Sequence, residues 1–251
     1  MKYTFLAILF VALAPAALWS QDIPSRPMIG GDVSLNINFF SSKRLLTDES
    51  DLPDYEEDFL GHMQGTSLAG SIVFDFPAGS NQFIAVHATL EDIDLAKDGQ
   101  LKIPCSFFNT TGQKVGTGIA TTDQSQKISF TYLTLGADFL EQFGHGFASV
   151  GSALGPALKS GYSFSSHILD PDSCWYNYFG SSRSKTLHEE SEVSNLSFRI
   201  PLTLRIGILI PFANNTYLAP SIGVNFGFFP INESGSTVTS IQPGMGIRYM
   251  P

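Results

Sequence analysis

The chain has 251 residues and a formal net charge of −9, and only 15% of its residues are charged, against roughly 25% in ordinary soluble domains. The negative charge argues against nucleic acid as a partner, and two cysteines are too few for a disulfide-scaffolded fold. Low charge combined with 21 Phe and 23 Gly suits a β-barrel that has one face in lipid.

The first twenty residues predict a secretory signal peptide. Lys2 supplies a positive charge, residues 5–14 form an apolar core, and small residues before and at Ser20 offer a cleavage site. An N-terminal membrane anchor is the alternative, but the apolar run is short and Pro15 interrupts it. We therefore expect residues 1–20 to be removed on export and residues 21–251 to form one β-barrel domain.

Eight segments of the remaining chain alternate apolar and polar residues with the period of a β-strand. They cover residues 31–42, 66–76, 82–92, 127–140, 146–162, 196–210, 216–229 and 237–250. The sixth is the clearest, because every even position from Leu196 to Ile210 is apolar. In the fourth, the apolar stripe changes parity between Tyr132 and Leu133, which predicts a β-bulge at that point.

The connections between these segments alternate in length. Those after the second, fourth and sixth segments are tight turns, whereas those after the first, third and fifth run to about twenty to thirty residues. This layout predicts an all-β fold: an eight-stranded antiparallel transmembrane β-barrel with short periplasmic turns and long extracellular loops. A soluble, secreted β-sandwich is the alternative, but the polar parity holds mostly Ser, Asn, Gly and Thr instead of Lys and Glu.

Two stretches carry a resemblance to a known family. Residues 130–162, which include Gly-Ser-Ala-Leu-Gly-Pro-Ala-Leu, and the closing residues 244–249, Gly-Met-Gly-Ile-Arg-Tyr, resemble the PorT-like outer-membrane β-barrel domain proteins of Bacteroidetes-type bacteria. The resemblance implies an eight-stranded barrel in the outer membrane and no particular activity. The chain departs from the usual aromatic end of a barrel insertion signal, because its last residues are Tyr249, Met250 and Pro251.

Charged side chains on the inward parity predict a polar network in the barrel lumen. An eight-stranded barrel is just wide enough for side chains to fill it. The predicted members of the network are Asp75, His87, Glu91, Lys159, Arg199, Arg205 and Arg248. Because a lone buried charge is costly, we expect the arginines to pair with Asp75 and Glu91 and to close the lumen; a polar conduit or binding site is the alternative.

The sequence offers no convincing catalytic, cofactor or metal site. The five His residues lie in no spacing that predicts a catalytic triad. The acidic segment at 48–58 could hold a divalent cation, but it lacks the order of a calcium-binding loop, and a solvated acidic loop is the favoured interpretation. We expect no cofactor and no enzymatic activity.

Cys105 and Cys174 fall in the long loops predicted after the third and fifth strands. Both loops lie on the outer side in this layout, where a disulfide can form and persist. A bridge between them and two unrelated thiols are the two alternatives.

The predicted function is that of an integral protein of the bacterial outer membrane, reached after export to the periplasm. Its role would be structural or interactive, through acidic extracellular loops. The expected partners are outer-membrane lipid, the barrel-assembly machinery and an unknown extracellular ligand, with the protein acting as a monomer. The alternatives are a barrel enzyme acting on lipid or peptide, a small pore or ligand carrier, and the secreted β-sandwich.

Overall fold

The computed structural model describes residues 26–41, 62–108, 111, 113–170, 174–175, 184–191, 196, 198–231 and 235–251. The predicted signal peptide and the acidic segment at 48–58 lie outside the described residues. Twelve strands share one sheet. They are β1 (Met28–Ser41), β2 (His62–Pro77), β3 (Gln82–Phe108), β4 (Lys114–Phe143), β5 (Gly146–Leu154), β6 (Ala157–Asp170), β7 (Cys174–Trp175), β8 (Ser184–Ser191), β9 (Leu202–Ile208), β10 (Ile210–Ala213), β11 (Thr216–Phe226) and β12 (Thr237–Tyr249).

Eight of these strands close into a ring in which every pairing is antiparallel. The order is β1, β2, β3, β4, β5, β9, β11 and β12, and β12 pairs with β1 again. A walk around the paired residues that starts at Met28 returns to β1 at Asn38, ten residues further along. The intermediate residues are Asp75, Ala85, Asp138, Gly151, Thr203, Asn225 and Ser240. This stagger is the shear that closure requires, and the predicted eight-stranded antiparallel barrel is confirmed.

The outward face of the ring is an apolar belt. Residues near its middle keep more than half of their side-chain surface exposed, for example Val33 at 61%, Ile72 at 59% and Leu135 at 66%. On β3 the belt runs over the seven residues from Ile84 to Leu90, slightly fewer than the roughly 9–11 that cross a bilayer as a tilted strand. An uninterrupted apolar surface of this size is unfavourable in water, so the belt suits contact with lipid. Within the described residues there is no helix long and apolar enough to cross a membrane.

The third connection differs from its prediction. Residues 93–126, expected to be a long loop, extend β3 and β4 to 27 and 30 residues, and their pairing is continuous from Gln82↔Glu141 to Phe107↔Gly116. We call this extension, with β6 along one edge, the ribbon. At about 3.4 Å per residue β3 is roughly 90 Å long, whereas about 9–11 residues cross a bilayer, so more than half of the strand lies beyond the belt.

The ribbon forms paired strands because its apolar residues occupy the same alternate positions along β3 as the residues that face the lumen. Ile93, Leu95 and Ile103 are buried on the inward face of β3, while Asp94 and Asp98 point outward. The outward acids made this segment resemble a loop in the sequence. Lys97 lies on the inward parity, and its partial burial lowers the pKa of its ammonium group because burial disfavours the charged form.

The same alternate positions of β4 face inward along the whole strand, and its pairing with β3 does not shift register near Tyr132. The prediction of a β-bulge at this point is therefore wrong for the β3–β4 pairing. Ile128, Phe130 and Tyr132 are buried inside the barrel, while Leu133 and Leu135 are exposed on the belt. The two apolar stripes therefore lie on opposite faces at different heights. On the side of β6 the register does shift between Thr131 and Tyr132.

Two prolines divide strands that the sequence predicts to be continuous. The predicted strand at 146–162 separates into β5 and β6 at Pro156, and both halves follow the same edge of β4. The predicted strand at 196–210 becomes regular only at Leu202, after Pro201 and an isolated bridge between Arg199 and Gly155. Proline has no N–H to donate to a neighbouring strand, and regular pairing stops beside Pro156 and Pro201.

The turns at the opposite end of the barrel are short, as predicted. Gly144 and Asn215 adopt left-handed backbone conformations with φ of 61° and 58°, which glycine and asparagine tolerate better than other residues. They close the connections from β4 to β5 and from β10 to β11.

Both cysteines lie in strands and not in loops. Cys105 is in β3 and is disulfide-bonded, and the sequence contains one other cysteine, Cys174. Cys174 belongs to β7, whose backbone pairs with β3 at Ser106 and Phe107. This arrangement ties the segment after β6 to the far half of the ribbon.

Candidate functional site: the barrel lumen

The lumen is filled from the short-turn end upward in layers of alternating polarity. An apolar cluster seals the end near the short turns; it consists of Met28, Phe83, Leu140, Phe147, Leu209, Ala219 and Met250. Each of these side chains is at least nine-tenths buried. They lie next to strand ends, where the inward parity of several strands is apolar instead of polar.

A first polar layer lies above this seal and centres on Arg248. Its Nη1 and Nη2 donate to the two carboxylate oxygens of Asp32 at 2.6 and 3.0 Å, and its Nε donates to Asp75 at 2.9 Å. Arg205 donates to Asp32 at 3.0 Å from the other side. A Cβ atom at Gly246 would clash with Asp32, so this glycine leaves room for the carboxylate. Two arginines thus neutralise two buried acids.

A second polar layer centres on Glu91. Arg199 pairs with this carboxylate, Asn36 donates to it at 2.9 Å, and Gln242 donates at 3.4 Å. Arg199 is only 2% exposed, and its guanidinium lies 5.8 Å from the ring centroid of Tyr132, within the range of a cation–π contact. Three strands, β1, β3 and β12, therefore contribute polar side chains to this enclosed charge pair, together with the bridge residue Arg199.

A third contact lies between the two layers on the wall of β3 and β4. His87 Nε2 is 3.4 Å from Asp138 Oδ1, and His87 Nδ1 is 3.3 Å from the Thr89 hydroxyl. The order hydroxyl, imidazole and carboxylate is reminiscent of a nucleophile and its base, but it lies inside the barrel, away from either rim. The cavity beside these residues has a volume of about 40 Å³, room for a few water molecules and for no substrate.

A second apolar cluster closes the lumen above the Glu91 layer. It consists of Phe40, Met63, Ile93, Leu95, Ile128, Phe130, Tyr132, Tyr162, Phe164, Ile231 and Val238. The cluster explains why β4 turns apolar on its inward parity at this height. With both ends sealed and charges paired between them, the lumen is closed.

Among the residues that the structure describes, no group of three or more His, Cys, Asp or Glu side chains is arranged to hold a metal ion.

No family model matches this chain, and no curated protein matches it in sequence. Among solved structures, it is similar to the attachment invasion locus protein Ail of Yersinia pestis, with 10% identity, a TM-score of 0.34, and coverage of 89% of this chain and 99% of the other. Neisserial surface protein A matches with 12% identity, a TM-score of 0.35, and coverage of 89% and 97%. The outer-membrane protease OmpT of Escherichia coli matches with 8% identity, a TM-score of 0.31, and coverage of 89% and 97%.

Matches at this level of identity and TM-score say nothing about ligand, substrate or activity. The barrel architecture of this chain rests on its own strand pairing and on its apolar belt.

The structure places six of the residues singled out from the sequence inside the barrel and one outside. Asp75, His87, Glu91, Arg199, Arg205 and Arg248 all face the lumen. Lys159 is the exception: it is exposed on the outer face of β6, because the break at Pro156 resets the strand at this point.

Sequence reasoning did not single out several lumen residues, among them Asp32, Asn36, Asp138 and Gln242. Asp32, Asn36 and Gln242 stand on the polar parity of their strands, which was a usable signal. Asp138 interrupts the apolar stretch of β4 as an acid on the inward parity. However, the sequence does not give the shear of ten residues, and without the shear it does not say which residues of different strands lie at the same height in the barrel.

We expect the purified protein to give no steady conductance in planar bilayers, because charge layers and two apolar clusters fill the lumen. A sixteen-stranded porin inserted in the same way serves as the positive control, since barrels of that size leave an aqueous channel. Steady single-channel openings of the purified wild-type protein would contradict the closed lumen and favour the pore alternative.

Proposed function

We propose that this protein is an integral barrel of the bacterial outer membrane whose role is structural or interactive and is exercised outside the membrane. The observation that carries the proposal is the combination of a sealed lumen with a ribbon that extends well beyond the apolar belt. A sealed barrel offers no route for transport, so the surface available to partners is the ribbon and the connections beside it.

The finer assignment to the PorT-like family is part of this proposal. It is supported by the eight-stranded layout and by the stretches at 130–162 and 244–249 that carry the resemblance. In this proposal outer-membrane lipid surrounds the belt, the barrel-assembly machinery inserts a monomer, and neither nucleic acid nor a catalysed reaction is involved.

Charge divides the proposed interaction surface into two parts. Along residues 92–127 four aspartates are balanced by four lysines, whereas residues 42–61 contain seven acids and two bases. Of these two stretches, the acidic one is therefore the sequence between β1 and β2, which lies outside the described residues, and the ribbon itself is neutral. A cationic partner would be attracted to the former and not to the latter.

Epitope insertion tests the orientation that this proposal requires. We expect an epitope placed at Thr111, in the turn at the tip of the ribbon, to bind antibody on intact cells. The matched insertion at Gly79, in the turn between β2 and β3, should bind only after permeabilisation. Exposed turns tolerate insertions well. Labelling of the Gly79 insertion on intact cells, or of neither insertion before permeabilisation, would contradict the proposal.

A further inference from the structure

Among the described residues, one edge of the ribbon includes a stretch of strand that has no paired neighbour. β4 occupies one edge of β3 along its whole length. On the other edge β2 pairs as far as Gln64↔Ala96 and extends two residues further, to His62. Above it, β7 begins to pair with β3 at Ser106. We call residues 99–104, which lie between these points, the open edge.

The open edge lies beyond the apolar belt and is held in an extended conformation. Its residues pair with β4 from Gly99↔Gln124 to Pro104↔Ile119 without a shift of register. Gly99 lies nine residues beyond Leu90, where the belt ends on β3, which is about 20–25 Å for a tilted strand. A strand whose N–H and C=O groups are unpaired on one side is a template for one more strand. Because this template is already ordered, only the added strand loses conformational freedom on pairing.

The inner face beside the open edge is apolar. Ile103 is 2% exposed and forms a third apolar cluster with Ala120 and Ile168. Leu101 is half-buried and packs against this cluster and against the one that closes the lumen above the Glu91 layer. Side chains of neighbouring strands contact each other across the face of a sheet. An apolar side chain of an added strand would therefore bury the remaining surface of Leu101.

The outer face beside the open edge carries a single charge. Lys102 is exposed, and the other five residues of the open edge are uncharged. None of the ion pairs between described residues involves this lysine. Two residues further along, Pro104 is exposed and its partner on β4, Ile119, is 68% exposed. An acidic side chain opposite Lys102 and an apolar one opposite Pro104 therefore suit this face.

The two ends of the open edge limit the length of a partner strand. Six residues span about 20 Å, and β2 below and β7 above occupy the positions into which a longer strand would continue. A second copy of this protein cannot fill the edge with its own β3, because that strand is continuous for 27 residues and would collide with β7. Proline and lysine on an edge also discourage pairing between identical copies. A short peptide segment fits the space.

We propose that the open edge binds a short, extended, acidic peptide segment of a partner protein by strand addition. The peptide pairs antiparallel with residues 99–104, in the position that β2 occupies nearer the membrane. It places apolar side chains on the inner face beside Leu101 and an acidic side chain opposite Lys102. Main-chain hydrogen bonds supply the affinity, and these side-chain contacts supply the selectivity. This inference rests on the proposed function, because it names the class of partner that the ribbon binds outside the membrane.

Titration of the full-length protein, refolded in phosphatidylcholine nanodiscs, with labelled synthetic peptides tests the proposal. The probe has the central sequence Ile-Val-Glu-Val-Thr-Val, which places its glutamate opposite Lys102 in the antiparallel register. We expect saturable binding with a Kd below about 1 mM, and slower hydrogen exchange of amides in residues 99–103. A peptide with lysine in place of the glutamate should bind about fivefold more weakly, because like charges opposite each other are unfavourable.

A charge reversal locates the binding site on the ribbon. Lys102→Glu should invert the preference, so that the lysine peptide binds more tightly than the glutamate peptide. The matched control is Lys127→Glu, which reverses an exposed lysine on β4 away from the open edge. This variant should keep the preference of the wild-type protein.

Probe peptides that are N-methylated at every other residue separate strand pairing from general adhesion. Methylation removes N–H donors and keeps the side chains. Of the two possible alternations, the one that removes the donors facing β3 should bind more than tenfold more weakly than the other.

Four results would overturn the proposal. They are equal affinity of the two methylated peptides, an unchanged preference in Lys102→Glu, no binding of the unmodified probe at about 1 mM, and carbodiimide coupling of Lys102 to the acidic segment at 48–58 in the peptide-free protein. The last result would assign the open edge to the chain itself. Because binding in nanodiscs does not depend on cellular location, its failure is distinguishable from failure of the epitope test.

Discussion

Replacing Arg199 by Met should lower the free energy of unfolding by about 3–5 kcal/mol, the usual cost of breaking a buried ion pair by removing one partner. Arg199 is 2% exposed and Glu91 3% exposed. Without the guanidinium, the donors to the carboxylate that remain among the described residues are the amides of Asn36 and Gln242, which do not neutralise its charge. Urea-induced unfolding of the refolded barrel in lipid vesicles measures the loss.

A double-mutant cycle distinguishes loss of the charge pair from loss of packing. Glu91→Gln alone should also be strongly destabilising, because it leaves the buried charge of Arg199 unpaired. The double variant Glu91→Gln with Arg199→Met should lose much less stability than the sum of the two single losses. The exposed cation on the ribbon provides the control, and Lys102→Met should change stability by less than about 0.5 kcal/mol. If Arg199→Met were no more harmful than Lys102→Met, the Glu91 layer would not be enclosed as described.

Leu204→Arg should destabilise the barrel by about 2–4 kcal/mol, the range for a charge facing lipid near the bilayer midplane. Leu204 lies on the outward parity of β9, is 43% exposed and pairs with Val150 and Val224 in the middle of the belt. The guanidinium would therefore enter hydrocarbon with no partner. The same vesicle-based urea titration measures the effect.

The matched control is Gln100→Arg, which places the same side chain on an outward position of the ribbon beyond the belt. It should change stability by less than about 0.5 kcal/mol, since the side chain stays in water. Equal losses from Leu204→Arg and Gln100→Arg would mean that the belt has no special relation to lipid. No loss from either would favour the soluble β-sandwich.

The ring could be predicted from the sequence because lipid and lumen demand opposite chemistry of alternate residues. The even positions from Leu196 to Ile210 and their apolar counterparts on β1 and β2 fixed the outward parity of those strands. Short turns such as Gly144-His145 fixed which strands pair. These signals are local, and each can be read within about fifteen residues of chain.

The ribbon could not be predicted in the same way. Asp94, Asp98 and Asp123 give residues 93–126 the composition of a loop, because an extension beyond the membrane carries polar residues on its outward face. Only the buried residues of the other parity, such as Ile93 and Ile103, distinguish a paired strand from a loop. Phe130 and Tyr132 of β4 are apolar although they face inward, because they belong to the apolar cluster that closes the lumen above the Glu91 layer.

Part of the lumen network could be predicted from the sequence. Parity placed Asp75, Glu91 and Arg248 on the inward face, where the structure has them. The pairing of Arg248 with Asp32 as well as Asp75 depends on the shear that brings β12, β1 and β2 to one height, and shear is a property of the closed ring. For Lys159 the inward assignment was wrong, because the strand breaks at Pro156 and the alternation of inward and outward positions does not continue across the break.

The measurement that tests the central claim most directly is fractionation of cells that express the protein, followed by electrophoresis of boiled and unboiled samples. An integral outer-membrane barrel should remain in the outer-membrane fraction after alkaline and urea washes. Its mobility should change on boiling, because a closed antiparallel ring resists detergent until heated. Release without detergent, together with the same mobility before and after boiling, would contradict the barrel and its location.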